Sequence, residues 1–201
     1  YSINSDGVSV TVTGHVDGTA ATGELVIPES VEYYGSTFPV TMIGYNAFAG
    51  STEITSLDIG SFVQTIGTQA FYYCIGITSV VFPNSVTEIY SAAFGATGLT
   101  SVIIPSNVSY IEGGAFGWCY SLTSIIYDAT NCIVGSDWLE SCTSLMSITL
   151  GENVEIIPAG FLSGLSSITG QITIPNNVTA IGADAFNGCS GFSGSLTIPN
   201  A

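Results

Sequence analysis

The chain contains few residues of the types that perform acid–base, nucleophilic or metal chemistry. His15 is the only histidine, and no lysine or arginine occurs among the 201 residues. A Ser-His or Cys-His pair would have to form at His15, which we instead expect on the surface or in a turn. The acidic residues show no calcium-loop spacing. The sequence therefore predicts no enzyme activity, no cofactor and no metal site.

The charge of the chain has one sign only. Fifteen Asp and Glu with no Lys or Arg give a formal net charge of -15. Without cations the chain cannot neutralise nucleic-acid phosphates, hold a nucleotide through a P-loop lysine or bind an anionic membrane through a basic patch. Nucleic acid is thus excluded as a partner. The acidity either favours cationic ligands or keeps the surface soluble.

The ends and the apolar runs give further expectations. No run approaches the length of about 18 apolar residues that spans a bilayer, so we expect no membrane insertion within this chain. It begins at Tyr1 without Met or a signal-like segment and ends at Ala201, soon after the opening of a further repeat. We interpret it as a mature or trimmed part of a longer array.

A short phrase recurs along the chain, in Ile77–Pro83, Leu99–Pro105 and Leu122–Asp128. Its step of about 23 residues is typical of a solenoid, in which each unit stacks on its neighbours. Within a unit, Val102 and Ile104 before Pro105 predict a short strand, and a second extended piece follows. The rest of the unit has room for about one helical turn. We expect equivalent strands of successive units to pair in parallel.

Residues 25–201 hold seven such units and the start of an eighth. Stacking predicts a buried apolar column whose members share the position after the short turn. These are Phe48, Phe71, Phe94, Phe116, Leu139, Leu162 and Phe186. The units that begin at Leu122 and Leu145 have Trp138 and Phe161 where the others have Ala, so local irregularity is expected there.

Residues 1–24 do not follow the repeat. Val8 to Thr13 alternates apolar and polar residues, and Asp6-Gly7 signals a hairpin turn back to Tyr1–Ile3. We predict an N-terminal β-hairpin cap whose polar outer face covers the first unit.

The repeats resemble the BspA-like leucine-rich repeats, with units of roughly L-T-S-V-x-I-P-x-S-V-T-x-I-G-x-x-A-F-x-x-C. The match covers about residues 24–201 and is closest from Ile172 to Cys189. The resemblance implies a leucine-rich-repeat solenoid (α/β, strand-dominated, with short helical turns) from a secreted or surface protein, usually a bacterial adhesin. It carries over no catalytic or binding residues.

Two surfaces are candidate ligand sites. The first, which we call the outward row, contains the residue between the two inward residues of each opening strand: Asp58, Val81, Ile103, Ile126, Thr149 and Thr173. Three consecutive apolar members are typical of an interaction site, although β-branched residues also simply suit a parallel sheet. The second is an aromatic patch of Tyr72, Tyr73, Trp118 and Tyr120, suited to protein or sugar contacts.

Four of the five cysteines occupy the same place in their units: Cys74, Cys119, Cys142 and Cys189. We predict a column of buried, unreactive thiols. A disulfide between Cys119 and Cys142, on adjacent units, is the alternative. Cys132 is out of register and receives no role.

The function we expect is adhesion or recognition without catalysis, by an extracellular or cell-surface module that binds a host or microbial protein or glycan. The alternative is a structural spacer, or a self-associating cell-envelope array that joins end to end through an uncapped unit. Concentration-dependent mass would favour the array.

Overall fold

A computed structural model describes residues 1–14, 20–194 and 198. His15 lies outside the described residues, as do residues 195–197 and 199–201 at the start of the eighth unit. The strands, in chain order, are β1 (Ser2–Ile3), β2 (Val10–Val12), β3 (Thr22–Ile27), β4 (Ser30–Tyr33), β5 (Ser36–Ile43), β6 (Glu53–Ile59), β7 (Thr65–Ile66), β8 (Glu88–Ile89), β9 (Ser101–Ile104), β10 (Tyr110–Ile111), β11 (Ser124–Tyr127), β12 (Ile133–Val134), β13 (Ser147–Leu150), β14 (Ile156–Ile157) and β15 (Ala180–Ile181). No helix occurs in this part of the chain.

Equivalent strands of successive units pair in parallel. The second strands form one sheet in the order β2, β5, β7, β8, β10 and β12. The opening strands pair as β3 with β6, and as β9, β11 and β13. Ser101, Ser124 and Ser147 are aligned across the latter three, so equivalent side chains lie on neighbouring rungs. The predicted strand-dominated repeat solenoid is confirmed, but the predicted short helical turns were wrong, because overlapping hydrogen-bonded turns take their place in the described residues.

The sheets are interrupted at three places. Residues 77–83 form no strand, and one backbone bond, from Thr100 N–H to Thr78 O at 3.1 Å, joins this opening segment to the next unit. Residues 172–174 are not a strand either. The second strands break between β12 and β14. This last break lies in the two units whose sequences depart from the repeat, as predicted.

The buried column stands where the sequence predicts it. Phe48, Phe71, Phe94 and Phe116 stack with ring centroids 5.5, 5.2 and 5.5 Å apart. Leu139 and Leu162 continue it as buried residues. Phe186, by contrast, is only partly buried, and its ring meets Phe192 edge-on at 6.2 Å.

The two irregular units widen the core beside this column. Trp138 and Phe161 occupy the positions that hold Ala in other units, and both are 1 % exposed. Their rings stack 5.7 Å apart, and Trp138 meets Phe116 edge-on at 6.0 Å. In these two units the aromatic contacts therefore move from the column position to the residue before it, and the column residues Leu139 and Leu162 remain buried.

The N-terminal hairpin forms, since β1 pairs antiparallel with β2, but its polar face is not an outer face. Ser9 is 5 % exposed and Thr11 is 9 % exposed. The prediction was wrong because β2 also pairs with β5 and so lies inside the sheet. Asn4 satisfies the buried hydroxyls: its amide donates to Ser9 Oγ at 2.8 Å, and its carbonyl oxygen accepts from Thr11 Oγ1.

A second hairpin lies near residues 32–40, where an insertion interrupts the repeat between Pro28 and Ile43. Strand β4 pairs antiparallel with the first half of β5. The turn holds Tyr34, which has a φ of 48° and is 90 % exposed. The second half of β5 then joins the parallel sheet, so the insertion projects without breaking the stack.

Candidate recognition surfaces

The outward row is exposed throughout. Val81 is 82 % exposed, Ile103 56 % and Ile126 43 %, and the Asp and Thr members are exposed as well. Ile103 is the register partner of Ile126, which is the partner of Thr149. The chain buries the flanking side chains and leaves these outside because successive side chains of a strand point to opposite faces.

The row is one unit longer than predicted. Val26 is 52 % exposed and is the register partner of Asp58. The signal was present in the sequence, because Val26 stands between Leu25 and Ile27 before Pro28 as Ile103 stands between Val102 and Ile104 before Pro105.

The predicted aromatic patch divides into two environments. Tyr72 and Trp118 line a groove of about 420 Å³. Tyr73 and Tyr120 are exposed, at 51 % and 59 %, and do not line it. The sequence identified the aromatic residues but could not separate the two that share a concave surface from the two that do not.

The groove runs across four consecutive units and exists because the middle two carry small residues. Its floor contains Ser91, Ala92, Gly113 and Gly114. At the position of Tyr72, these middle units have Gly95 and Gly117. A Cβ added at Gly95 would come within 3.1 Å of the Tyr72 ring, so the ring lies against this glycine.

The ends of the groove are polar. Gln69 lies beside Tyr72 at one end, and Asp137 and Glu140 lie at the other. Both carboxylates are exposed, and neither makes a hydrogen bond or ion pair with the described residues. Sequence reasoning missed these three residues, although Gln69 and Asp137 occupy the position of Ala92 and Gly114, and Glu140 occupies the position of Tyr72.

Overlapping turns set the geometry of this surface. Ala70 N–H donates to Gly67 O and Cys74 N–H to Phe71 O, whereas Phe71 N–H donates to Ala93 O of the next unit. Alternate amides thus close the turns and join the units. The turns require two left-handed residues per unit, here Gln69 at φ 57° and Tyr73 at φ 59°.

The same two positions recur in every complete unit. The residues with positive φ are Asn46 and Gly50, Ala92 and Ala96, Gly114 and Trp118, Asp137 and Ser141, Gly160 and Gly164, Asp184 and Gly188. A left-handed conformation costs a residue other than glycine roughly 1 to 2 kcal/mol. Three units have glycine at the second of these positions, whereas Tyr73, Ala96, Trp118 and Ser141 occupy it in the others.

The aligned cysteines form a hydrogen-bonded column. The thiols of Cys74, Cys119 and Cys142 donate to the carbonyls of Phe48, Phe94 and Phe116 at 3.0 to 3.1 Å. All five cysteines are free, so the structure contains thiols and not the alternative disulfide. Burial raises the pKa of Cys74 to about 11 and that of Cys142 to about 12. The thiols stay protonated at neutral pH and lack nucleophilic character.

Cys132 packs in the core beside Tyr127. Tyr127 is fully buried, and its hydroxyl makes no hydrogen bond of ordinary geometry. Its ring lies edge-on to Phe161 at 4.6 Å. Burial raises the pKa of Tyr127, and burial raises the pKa of Cys132 to about 12. This corner of the core is a packing site that contains one unsatisfied oxygen.

A second concave surface lies between the two N-terminal hairpins. It has a volume of about 400 Å³ and is lined by Tyr1, Ile3, Tyr33 and Phe38 among others. Tyr1, Ile3 and Tyr33 are each more than half exposed. This end of the solenoid therefore presents apolar side chains to solvent.

Two classes of site are absent from the described residues. Residues 1–14, 20–194 and 198 contain no group of three His, Cys, Asp or Glu side chains placed to hold a metal ion. The same residues include no helix with the length and hydropathy to cross a bilayer.

Comparison with known proteins agrees with the fold. A leucine-rich repeat protein of T. pallidum superposes with a TM-score of 0.76 at 23% identity, over 96% of this chain and 87% of that one. Pneumococcal vaccine antigen PcpA gives a TM-score of 0.50 at 15% identity, over 96% and 64%. A leucine-rich cell surface protein of Faecalibacterium prausnitzii gives 0.47 at 18% identity, over 90% and 69%. No curated protein sequence matches the chain.

The family follows from the repeats themselves. Six copies of the BspA type Leucine rich repeat region match residues 41–169 and 165–201. These ranges cover most of the chain and include all units that frame the groove. Repeats of this kind are in general protein-interaction modules without catalytic groups. The chain belongs to the BspA-type leucine-rich repeat family.

Proposed function

We propose that the chain is a recognition module without enzymatic activity, part of a secreted or cell-surface protein, that binds a host or microbial protein or glycan through the outward row. The observation that carries this proposal is the run of Val81, Ile103 and Ile126 at the same position of consecutive units, between 43 % and 82 % exposed. Contiguous exposed apolar side chains are a cost in water unless a partner covers them.

The row supplies part of the free energy that specific binding requires. Burying a Val or Ile side chain contributes about 1.5 to 3 kcal/mol. These three residues are already partly covered, so a partner that covers them gains about 3 kcal/mol in total from the row. A partner that also meets the polar members gains specificity from their hydroxyl and carboxylate groups.

A binding screen with host matrix proteins and glycans tests the proposal. The variant carries Ile103→Asp and Ile126→Asp, which places two charges in the row. The matched control carries Ile133→Asp and Ile156→Asp, two exposed isoleucines of the second strands. Loss of binding in the first variant alone supports the row, and equal binding by both variants would reject it.

The structural alternative has one observation in its favour. The apolar surface near Tyr1, Ile3 and Tyr33 lies at one end of the solenoid, where end-to-end association would cover it. Light scattering over a range of protein concentrations separates the two functions. A constant monomer mass rejects the array, and a mass that rises with concentration supports it.

A further inference from the structure

The groove between Tyr72 and Trp118 is built around unpaired negative charge. Asp137 and Glu140 line it and make no bond with another described side chain. The full sequence contains no lysine or arginine that could pair with them. Some other acids of the chain have neutral partners: Glu88 accepts from Thr65 and Tyr90, and Glu112 accepts from Ser91 N–H. The two groove carboxylates have no such partner.

Two aromatic side chains line the same groove as these carboxylates, Trp118 in the neighbouring unit and Tyr72 at the opposite end. Trp118 is partly exposed and its ring approaches Gly114, to 3.9 Å from where a Cβ would stand. Tyr72, two units before Trp118, lies against Gly95 of the unit between them. Trp and Tyr rings attract cations over their faces, and a guanidinium both stacks on a ring and donates to carboxylates. The groove therefore combines the two features that select an arginine side chain.

Trp118 is retained despite an unfavourable backbone conformation. Its φ is 59°, and three units place glycine at this position: Gly50, Gly164 and Gly188. A bulky side chain in the left-handed region is strained relative to glycine. Tyr73, Ala96 and Ser141 also occupy this position at positive φ, and at Trp118 the same conformation places an indole ring on the groove.

We propose that this groove binds an arginine-containing segment of a partner protein, with the guanidinium against Trp118 and paired with Asp137 and Glu140, and with the rest of the segment extended toward Tyr72. This rests on the proposed recognition function but uses a surface separate from the outward row. The volume of about 420 Å³ exceeds that of one side chain and accommodates a short extended peptide. Four rungs about 4.8 Å apart give the groove a length near 15 Å, about four extended residues.

The net charge of -15 favours this occupant over a neutral glycan. A cationic segment gains long-range attraction from the whole chain as well as the local contacts. A neutral oligosaccharide gains only the ring and hydrogen-bond contacts. An anionic ligand would meet repulsion at both carboxylates.

The test uses a capped pentapeptide with one arginine between glycines, and the same peptide with citrulline, which keeps the shape and removes the charge. Trp118 fluorescence reports binding, since the other tryptophan, Trp138, is 1 % exposed. We expect saturable binding of the arginine peptide, weaker binding of the citrulline peptide by about fivefold or more, and affinity that falls with added salt.

Variants locate the site. Asp137→Asn and Glu140→Gln each weaken arginine-peptide binding by about two- to fivefold. The matched control, Glu152→Gln, removes an exposed carboxylate outside the groove and leaves affinity unchanged. All three side chains are exposed and make no hydrogen bond, so the variants fold normally, which urea unfolding checks.

Four results would overturn the proposal. The first two are no saturable response to the arginine peptide and equal affinity for the arginine and citrulline peptides. The others are a loss of affinity in Glu152→Gln equal to that in the groove variants, and a response to neutral chitotetraose instead of the arginine peptide, which would mark a glycan site. Ile103→Asn with Ile126→Asn alters the outward row without adding charge and leaves peptide binding intact. Failure of the row in the binding screen is therefore distinguishable from failure of the groove.

Discussion

Replacing Tyr127 with phenylalanine should stabilise the protein. The Tyr127 side chain is fully buried and its hydroxyl has no hydrogen-bond partner of ordinary geometry. Leaving a buried polar group unpaired costs about 1 to 3 kcal/mol. Removing the oxygen leaves a void of roughly 10 Å³, which costs only about 0.2 kcal/mol. The ring and its edge contact with Phe161 at 4.6 Å remain, so we expect a net gain of about 1 to 2 kcal/mol.

Thermal unfolding followed by far-ultraviolet circular dichroism measures this gain. For a chain of this size it corresponds to a midpoint higher by about 2 to 8 °C. Tyr90→Phe is the matched control, because the Tyr90 hydroxyl donates to Glu88 Oε2 at 3.2 Å. That variant should be neutral or lose up to about 1 kcal/mol.

The reasoning would be refuted if the thermal midpoint of Tyr127→Phe were below that of the unaltered protein and no higher than that of Tyr90→Phe. It would mean that the buried hydroxyl is bonded in solution, with Cys132 as the neighbouring polar group. Cys132→Ala then identifies the partner, since it would lower the midpoint by a similar amount.

Three further predictions concern the turns, the thiols and the composition. Ala96→Gly, at φ 55°, should raise the free energy of unfolding measured in urea by up to about 1 kcal/mol, whereas Ala159→Gly, at negative φ, should lower it. A change in the same direction for both variants would contradict the assigned turn geometry. Because burial raises the pKa of Cys74 to about 11 and of Cys132 and Cys142 to about 12, their stabilisation is complete below pH 9 and declines above it, by about 1.4 kcal/mol per pH unit for each thiol. Urea midpoints between pH 8 and pH 11 check this, and a flat profile would show that the thiols are exposed. Trypsin should leave the chain intact even in urea, because it contains no Lys or Arg, while chymotrypsin cuts it; tryptic fragments would be inconsistent with the sequence.

The repeating parts of the fold could be predicted because each position is repeated several times. The Phe48 to Phe116 stack, the exposure of Ile103 and Ile126 and the buried Cys74, Cys119 and Cys142 all follow from their places in the unit. A one-residue error in register would have reversed the buried and exposed faces, and the repetition excludes it.

The remaining features depend on contacts between different units or with the termini. The burial of Ser9 and Thr11 follows from the pairing of β2 with β5, about 30 residues later. The groove forms because the two middle units have glycine, and so no side chain, at the position of Tyr72, and because the turns hold Trp118 at positive φ. Single-residue patterns contain no such signal, which is why the aromatic residues were found and the groove was not.

Cross-linking of paired cysteines tests most directly whether equivalent residues of consecutive units lie side by side. In a Cys189→Ala background the remaining native thiols are at most 5 % exposed and stay silent. Ile126→Cys with Thr149→Cys places two thiols on register partners, about 4.8 Å apart at Cα. Ile103→Cys with Thr149→Cys places them two rungs apart, near 10 Å. Under mild oxidation, mass spectrometry should show an intramolecular disulfide in the first pair and none in the second, because a disulfide needs Cα atoms about 4.4 to 6.8 Å apart. No disulfide in the first pair, or equal formation in both, would contradict the stacked solenoid.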